Sequence, residues 1–283
     1  MANHRMYRYT SIGRPLDPGY PTNKAVLMLL PLAAALGAAA AFMEGQSVVE
    51  TAGNALNFLL AAFGAWALAR ELDPDDQVAA FIAMAFGVLA ALIVDSPGIL
   101  IVFATLGLVR IVNRSTGLEA RKSDSLVVML LVFAVIYLTE SPLFGTVAAL
   151  AFVLDGSLKS PSPHQWFFGL ICFGGTVVYL VDHDLGLSIV SVPDSLFEWL
   201  SLLFLMIFGL NTLLMKRVAS TGDFGAARLD LSRVRGGMTV GLLAALQGLI
   251  VPENVVIIVA SIAGICIGMA FRKGFKAPAA GVG

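Results

Sequence analysis

The stretch VAAFIAMAFGVLAALIVDSPGILIVFATLGLVRIVNR, residues 78–114, holds two apolar runs, an acidic turn without a base, and two arginines at its end. The same pattern extends along the whole chain, which divides into ten apolar runs separated by short polar breaks. Odd-numbered breaks carry acids and no base, whereas even-numbered breaks and both termini carry all 18 Lys and Arg residues. Because bases in short loops are retained on the cytoplasmic side of a membrane, this alternation predicts ten spans with both termini cytoplasmic.

The composition excludes an ordinary soluble domain. The chain is 58% hydrophobic and only 13% charged, its mean hydropathy is +0.86, and soluble domains contain about 25% charged residues. We therefore expect an all-α, polytopic transmembrane helical bundle in the plasma (inner) membrane. A full crossing takes about 20 apolar residues, so the shorter runs predict local thinning of the bilayer or burial by neighbouring helices. The predicted spans are 25–43, 48–69, 78–94, 97–113, 125–139, 142–155, 165–182, 195–215, 237–251 and 253–271.

The spans form a single transmembrane domain, 25–271, between two cytoplasmic ends. Residues 1–24 are a basic, proline-containing leader that we expect to be poorly ordered, and residues 272–283 are a cytoplasmic tail. The longest inner loop is 216–236. The basic inner face suits the anionic headgroups of the lipid bilayer. Because the bases are scattered over several loops and topology accounts for them, the sequence predicts no nucleic-acid partner.

The second predicted span carries the clearest internal pattern. At about 100° per residue, Glu50, Asn54 and Asn57 fall on one side of the helix, and bulky residues such as Phe63 and Trp66 fall on the other. A carboxylate and two amides inside a membrane are typical of a site for a proton, a cation or a small polar solute. We therefore expect this stripe to line a substrate path. The structural alternative is that Glu50 lies at the outer interface and the asparagines hydrogen-bond to neighbouring helices.

A second candidate site lies in the inner turn after that span. Asp73, Asp75 and Asp76 stand close together in the sequence, and clustered carboxylates can hold Mg²⁺ against a phosphate. Arg110 and Arg114, one helical turn apart, are the bases that would contact that phosphate. The structural alternative is that the acids cap the next helix and the arginines extend toward the interface. The acids lack the paired aspartate motifs of prenyl or alcohol phosphotransferases.

The remaining residues indicate no catalytic or metal site and no cofactor. Cys172 and Cys266 lie inside apolar runs without a partner at ligand spacing, and no Ser-His-Asp set, His-Glu-x-x-His motif or Gly-rich phosphate loop is present. Small residues recur at helical spacing on three spans, which predicts close helix packing and allows a homo-oligomer through the same faces. These residues are Ala83, Gly87 and Ala91; Gly237, Gly241 and Ala245; and Ala260, Gly264 and Gly268.

Three functions fit these features. The first is a small-solute transporter or permease, with the second-span stripe lining the path. The second is a non-catalytic membrane subunit that anchors a larger complex. The third is an enzyme that acts on a lipid or polyprenyl phosphate at the inner face through the acids and arginines named above. The lack of a nucleophile or metal signature favours a protein that is not an enzyme, and we place transport first.

Overall fold

The chain folds into helices throughout the part that a computed structural model describes, which is residues 6–94, 98–183, 193, 195–224, 227–247 and 252–274. Within those ranges no strand occurs beyond one isolated bridge between Thr221 and Arg228. The predicted all-α class is therefore confirmed. The helices are α1 (Pro21–Met43), α2 (Val48–Leu72), α3 (Gln77–Ile93), α4 (Ile99–Asn113), α5 (Lys122–Leu138), α6 (Phe144–Ser157), α7 (Gln165–Asp182), α8 (Leu196–Leu214), α9 (Leu231–Leu246) and α10 (Val256–Gly274), with 3-10 turns at Met6–Arg8 and Pro252–Val255.

Each of these ten helices lies where the sequence predicts a span. In the described part of the chain, four of them, α1, α2, α7 and α8, are long and apolar enough to cross a membrane. Helices α3, α4 and α6, and the segment Val256–Arg272 of α10, are also apolar but shorter. The structure therefore supports a membrane-capable helical bundle. The ends of the predicted ninth span and of the predicted tail, residues 248–251 and 275–283, lie outside the described residues.

The largest boundary difference concerns α9. This helix begins at Leu231, whereas the predicted ninth span begins at 237. The reason is local, because Asp230 accepts hydrogen bonds from two backbone N–H groups of the first turn, at 2.9 and 3.3 Å, and so caps the helix. Residues 231–236, which the sequence places in the loop 216–236, therefore belong to α9. As a result Arg233 belongs to a helix that packs against the bundle.

Side-chain contacts gather the base-bearing ends of the helices at one end of the bundle, called the basic end below. Arg70, near the end of α2, donates to Asn23 in the first turn of α1 at 3.1 Å. Arg233, in the first turn of α9, donates to Asp155 in the last turn of α6 at 2.6 Å. At the opposite end, Asn254 donates to a backbone carbonyl of the α5–α6 turn at 2.8 Å. When successive helices run in opposite directions, every second polar break lies at the same end of the bundle. The meeting of the base-bearing ends agrees with this arrangement.

The small-residue faces pack helices of the same chain together. A Cβ added at Gly87 would lie 2.7 Å from the carbonyl oxygen of Ala61, so α3 approaches the backbone of α2. A Cβ at Gly264 would lie 2.5 Å from the backbone nitrogen of Ala83, so α10 approaches α3 in the same way. Gly241 of α9 is similarly close to a leucine side chain at the end of α2. These faces are occupied inside the chain, and a homo-oligomer through them stays a prediction.

Peripheral helices expose a belt of apolar side chains. Helices α1, α7 and α8 carry large hydrophobic residues that are at least half exposed, whereas α2, α4 and α9 contribute mainly buried ones. Isolated exposed apolar residues are normal on soluble proteins, whereas many of them on the same helices are typical of a surface that contacts a membrane or a partner. The exposed set includes Met28, Leu32, Leu36 and Phe42; Phe167, Leu170, Val178 and Val181; and Leu196, Trp199, Met206 and Leu210.

Candidate functional site

The N-terminal segment, residues 6–20, lies across the basic end of the bundle. Ser11 is buried, and its backbone N–H donates to a carboxylate oxygen of Asp124 at 2.6 Å. The hydroxyl of Thr116 donates to the carbonyl of Ser11 at 2.5 Å. The polar, proline-containing composition of residues 1–24 predicts poor order because it shows no apolar periodicity. The contacts of Ser11 come from Asp124 and Thr116, which lie more than 100 positions further along the chain. The composition of residues 1–24 does not reveal such long-range contacts.

Arg14 connects this segment to the bundle through two carboxylates. Its Nε and Nη2 donate to the two carboxylate oxygens of Asp223, each at 2.7 Å, which is the bidentate geometry of a strong pair. Its Nη1 lies 3.2 Å from Oε1 of Glu71. Burial lowers the pKa of Arg14, but Glu71 and Asp223 outweigh burial, so the pKa lies above its ordinary value. Arg14 therefore stays charged and joins the segment to α2 and to the loop after α8.

Glu71, in the last turn of α2, is the centre of this ion-pair cluster. Its side chain is 1% exposed, and the same oxygen that faces Arg14 accepts a hydrogen bond from Nε of Arg110 at 2.9 Å. Arg110 also donates to the backbone carbonyl of Ile12 at 3.3 Å, so it holds the N-terminal segment as well. The positive charges of the two guanidinium groups are thus balanced by two carboxylates in direct contact, those of Glu71 and Asp223.

A cavity of about 570 Å³ lies beside this cluster. That volume is within the range of about 300–1,000 Å³ that is usual for small-molecule sites. Helix α2 contributes Phe63, Trp66, Ala67 and Arg70, which are spaced so that they share one side of the helix. The other walls come from α1, α4, the N-terminal segment and the loop after α8. Their polar residues include Arg14, Asp17, Tyr20, Asn23, Arg110 and Asp223.

Arg70 differs from the other two arginines of this cavity. Its guanidinium carbon lies 5.0 Å from the centre of the Trp66 ring, and its Nη1 donates to Oδ1 of Asn23 at 3.1 Å. Among the described residues, no carboxylate oxygen lies within 4.0 Å of a nitrogen of Arg70, the distance that defines an ion pair. The indole N–H of Trp66 is buried and has no hydrogen-bond partner in the same part of the chain. The cavity wall therefore presents a cation, Arg70, that no acid of the described chain contacts directly.

A second ion-pair cluster at the basic end surrounds Asp155. This side chain is fully buried, and its Oδ1 accepts from Nε of Arg114 at 2.8 Å and from Nη1 of Arg233 at 2.6 Å. Its Oδ2 accepts from the side-chain amide of Gln165 at 3.0 Å. Arg233 donates further to the backbone carbonyl of Val112 at 3.0 Å. Both oxygens are satisfied by protein groups, and the cluster joins α4, α6, α7 and α9.

The side chains of the acids and arginines predicted for a phosphate or metal site contact other groups and not one another. Arg110 and Arg114 each form an ion pair with a carboxylate outside the predicted set. Asp75 accepts backbone N–H groups from the loop after α8, at distances from 2.8 to 3.1 Å. Asp76 accepts a backbone N–H from the first turn of α3 at 3.1 Å, which is the capping role of the structural alternative. No group of three His, Cys, Asp or Glu side chains in the described ranges can hold a metal ion.

Asp73 is the least satisfied of these acids. Its side chain is 1% exposed, and its nearest cation is Nη2 of Arg272 at 3.6 Å. Neither carboxylate oxygen has a hydrogen-bond partner among the described residues. Burial raises the pKa of Asp73 to about 6, and Arg272 offsets that effect only in part. A carboxyl group with this pKa changes its charge close to neutral pH.

The second-span stripe is used differently along its length. Glu50 is exposed and completes a capping box, accepting from the backbone N–H of Ser47 at 2.8 Å. Asn54 donates its side-chain amide to the backbone carbonyl of Gly37 on α1 at 3.1 Å. Asn57 is partly buried. The cavity residues of α2 begin about 9 Å further along the helix axis and about a third of a turn around it. A substrate path along the stripe stays a prediction.

The sequence contained a signal for only part of the cavity. Trp66 and Arg70 are four residues apart, the spacing at which side chains meet on a helix. Their side of α2 nevertheless reads as bulky packing, because Phe63 and Trp66 dominate it. Arg14 and Asp223 are 209 positions apart in the chain. No local pattern pairs residues so distant, and only the folded chain brings them together.

The chain matches no known protein family, no curated protein and no solved structure. The candidate site is a cavity at the basic end of the helical bundle, with aromatic walls and three arginines. Glu71 and Asp223 neutralise two of these arginines by direct contact. The third, Arg70, has an aromatic ring and an amide as its neighbours.

Proposed function

We propose that the protein is a small-solute transporter or permease of the plasma (inner) membrane, and that the cavity beside α2 is its cytoplasm-facing binding site. The observation that carries this proposal is the cavity of about 570 Å³ at one end of a helical bundle, lined by Trp66 and Arg70. Arg110, which also lines the cavity, lies within the fourth predicted span. Ionisable groups inside a membrane are tolerated where they line a water-filled space, and they mark solute pathways.

The proposed topology has ten spans with both termini in the cytoplasm. Two observations support it. The base-bearing ends of helices meet at one end of the bundle, and α1, α7 and α8 expose many large apolar side chains. Bases are retained on the cytoplasmic side, so the basic end is proposed to face the cytoplasm. The anionic headgroups of the inner leaflet would then contact the exposed bases.

The proposal assigns solute binding to the inner half of α2 and the outer half of the path to the stripe. Glu50 and Asn54 take part in a cap and a helix contact, so they support the outer path less strongly than Arg70 supports the inner site. The N-terminal segment forms one wall of the cavity. A solute that enters from the cytoplasm would pass beside it.

Uptake by liposomes that contain the purified protein tests the proposal. The liposomes are incubated with a defined mixture of small carboxylates, phosphate monoesters, amines and uncharged solutes, and the retained solutes are identified by mass spectrometry. Ala67, which lines the cavity and is 1% exposed, is changed to Leu to fill it. The matched control is Ala52→Leu, on the same helix at an exposed position. We expect uptake by the wild type and the control, and reduced uptake by Ala67→Leu.

Two outcomes would contradict transport. Equal uptake by the Ala67→Leu protein, with unchanged folding, would remove the cavity from the path. If liposomes with the wild-type protein retain no more of any solute class than empty liposomes do, transport is contradicted and the anchoring-subunit function is favoured. Turnover of a lipid phosphate by the same liposomes would instead favour the inner-face enzyme, and loss of that turnover in Asp73→Asn would assign it to the acidic turn.

Cysteine accessibility tests the topology separately. The two native cysteines are buried, and Cys172→Ala and Cys266→Ala give a cysteine-free background. Single cysteines are then introduced at Gly45, in the α1–α2 turn, and at exposed Lys122, at the start of α5. We expect an impermeant maleimide to label position 45 in intact cells and position 122 only after permeabilisation. Labelling of both positions from outside would overturn the proposed orientation.

A further inference from the structure

The three arginines that line the cavity are paired with carboxylates unequally. Arg14 and Arg110 share Glu71, and Arg14 is also bidentate with Asp223, at distances from 2.7 to 3.2 Å. Two positive charges are thus matched by two negative ones in direct contact. Arg70, the third guanidinium, contacts no carboxylate among the described residues.

One further carboxylate, that of Asp17, lines the same cavity. It accepts a hydrogen bond from the backbone N–H of Gly19 at 2.9 Å. Within the described ranges it does not come within ion-pair distance of Arg70 or of any other base. The positive charge of Arg70 therefore has no direct counter-charge in the described chain.

The N–H groups of Arg70 on this wall have a geometry that suits an anion with two oxygens. A guanidinium carries five N–H groups in a planar fork, and within the described part of the chain Arg70 uses only one of them, toward Asn23. One face of the group is covered by the Trp66 ring, which leaves its edge for a ligand. Buried donors that lack an acceptor are costly, and a ligand with two anionic oxygens supplies acceptors in the geometry that the fork prefers.

The apolar part of the wall adjoins these donors. The rings of Phe63 and Trp66 both line the cavity, and their centres are 5.9 Å apart. We infer that the cavity binds an anion, a carboxylate or a phosphate monoester that carries a compact apolar body, with its oxygens on Arg70 and its body against Phe63 and Trp66. The inference rests on the proposed function only in taking this cavity as the binding site. It holds for a lipid headgroup as well as for a free solute.

Trp66 provides a reporter at the site. The chain has three tryptophans, and the other two, Trp166 and Trp199, are 52% and 54% exposed, so both can be changed to Phe. The resulting protein is placed in nanodiscs of uncharged phosphatidylcholine, and its fluorescence is titrated with four probes that do not absorb in the near ultraviolet. Cyclohexanecarboxylate and cyclohexyl phosphate are anionic, cyclohexylamine is cationic, and cyclohexanol is neutral. We expect saturable changes with the two anions alone.

Three variants locate the binding. Arg70→Gln is expected to weaken anion binding by about 10- to 100-fold, the usual effect of losing hydrogen bonds to a charged group. Asn23→Asp keeps the shape of the side chain and gives Arg70 an internal carboxylate, so it is expected to weaken binding by about tenfold without removing the guanidinium. Lys122→Gln removes an exposed charge at the same end and serves as the control. Unchanged affinity in both Arg70→Gln and Asn23→Asp, or equal binding of the amine, would overturn the inference.

Native mass spectrometry separates the two sources of the anion. An anionic phospholipid that remains bound to the wild type and is lost from Arg70→Gln would assign the site to a headgroup. Probe binding by a protein that retains no such lipid would assign it to a soluble anion. Either result supports an anion site. Anion binding without uptake would contradict transport alone, whereas uptake of amines or uncharged solutes without anion binding would contradict the inference alone.

Discussion

The two ion-pair clusters at the basic end have the same chemistry and different surroundings. Each has a buried carboxylate, Asp155 or Glu71, between two arginines. The arginines on Asp155 are 11% and 5% exposed, and those on Glu71 are 20% and 16% exposed. Helices and the α6–α7 loop enclose the first cluster, since Arg114 and Arg233 also donate to that loop. The loop after α8 and the N-terminal segment cover the second cluster and leave a cavity beside it. Packing therefore distinguishes a structural cluster from a candidate binding site.

The largest expected effect on stability is at the Asp155 cluster, called the closed cluster here; the Glu71 cluster beside the cavity is called the open cluster. Asp155→Asn leaves Arg233, which is 5% exposed, without its carboxylate, and removing one partner of a buried pair costs about 3–5 kcal/mol. We expect the free energy of unfolding in detergent to fall by about that amount. Asp230→Asn, at a partly exposed helix cap of the same region, is the control and should cost at most about 1–2 kcal/mol. Equal losses in the two variants would mean that the Asp155 cluster is not the tighter structure.

The same change at the open cluster is expected to cost less. In Glu71→Gln, Arg14 keeps both hydrogen bonds to Asp223, and the guanidinium of Arg110 can be hydrated from the cavity. We expect a loss of about 2 kcal/mol, the scale of one hydrogen bond to a charged group. Anion affinity measured by Trp66 fluorescence should increase, because two guanidiniums become less neutralised. A loss as large as that of Asp155→Asn would remove the contrast between the clusters.

A third buried carboxylate, Asp73, sharpens the comparison because it lacks a close partner. Its pKa of about 6 lies above the ordinary value of about 3.9, so its contribution to stability is full below about pH 4 and is lost as the pH rises through about 6. We therefore expect Asp73→Asn to be more stable than the wild type by about 2 kcal/mol at pH 7.5, and the difference to vanish near pH 4. Thermal unfolding across this pH range measures the effect.

The neighbouring Asp75 provides a control of opposite sign. Burial raises its pKa, but hydrogen bonds from Ser220 and Ala219 outweigh burial, so the pKa lies below its ordinary value. Its contribution to stability is therefore present above the ordinary pKa and is lost as the pH falls. Asp75→Asn should destabilise the protein at pH 7.5. A pH dependence of the same sign in both variants would contradict the different environments of the two carboxylates.

The smallest expected effects are on the outer half of α2. Asn57→Leu should cost about 1 kcal/mol if Asn57 only joins helices, as polar contacts between membrane helices do. Glu50→Gln should cost less still, because the side chain is exposed and contributes only through the capping box. We expect anion binding by Trp66 fluorescence to be unchanged in both variants. Loss of uptake in a folded Asn57→Leu protein would assign the stripe to the transport path.

The helices themselves could be predicted from the sequence to within a few residues at most ends. Apolar runs separated by polar breaks are a local property, and ten such runs correspond to ten helices in the described structure. The exception, the start of α9, depends on the side chain of Asp230, which a hydropathy pattern does not weigh. The candidate site was far less predictable, because its ion pairs join Arg14 to Asp223 and Arg110 to Glu71 across the chain.

The sequence alone determined that this protein is an apolar all-helical bundle whose bases belong to alternate breaks, because hydropathy and charge order are written along the chain. The tertiary structure decided which of those bases are neutralised. Arg114 and Arg233 meet Asp155 inside the bundle, and Arg70 meets an aromatic ring instead of an acid. The physical reason is that a charge of either sign is stable at a buried position only beside its partner, and the partner is chosen by how distant helices pack.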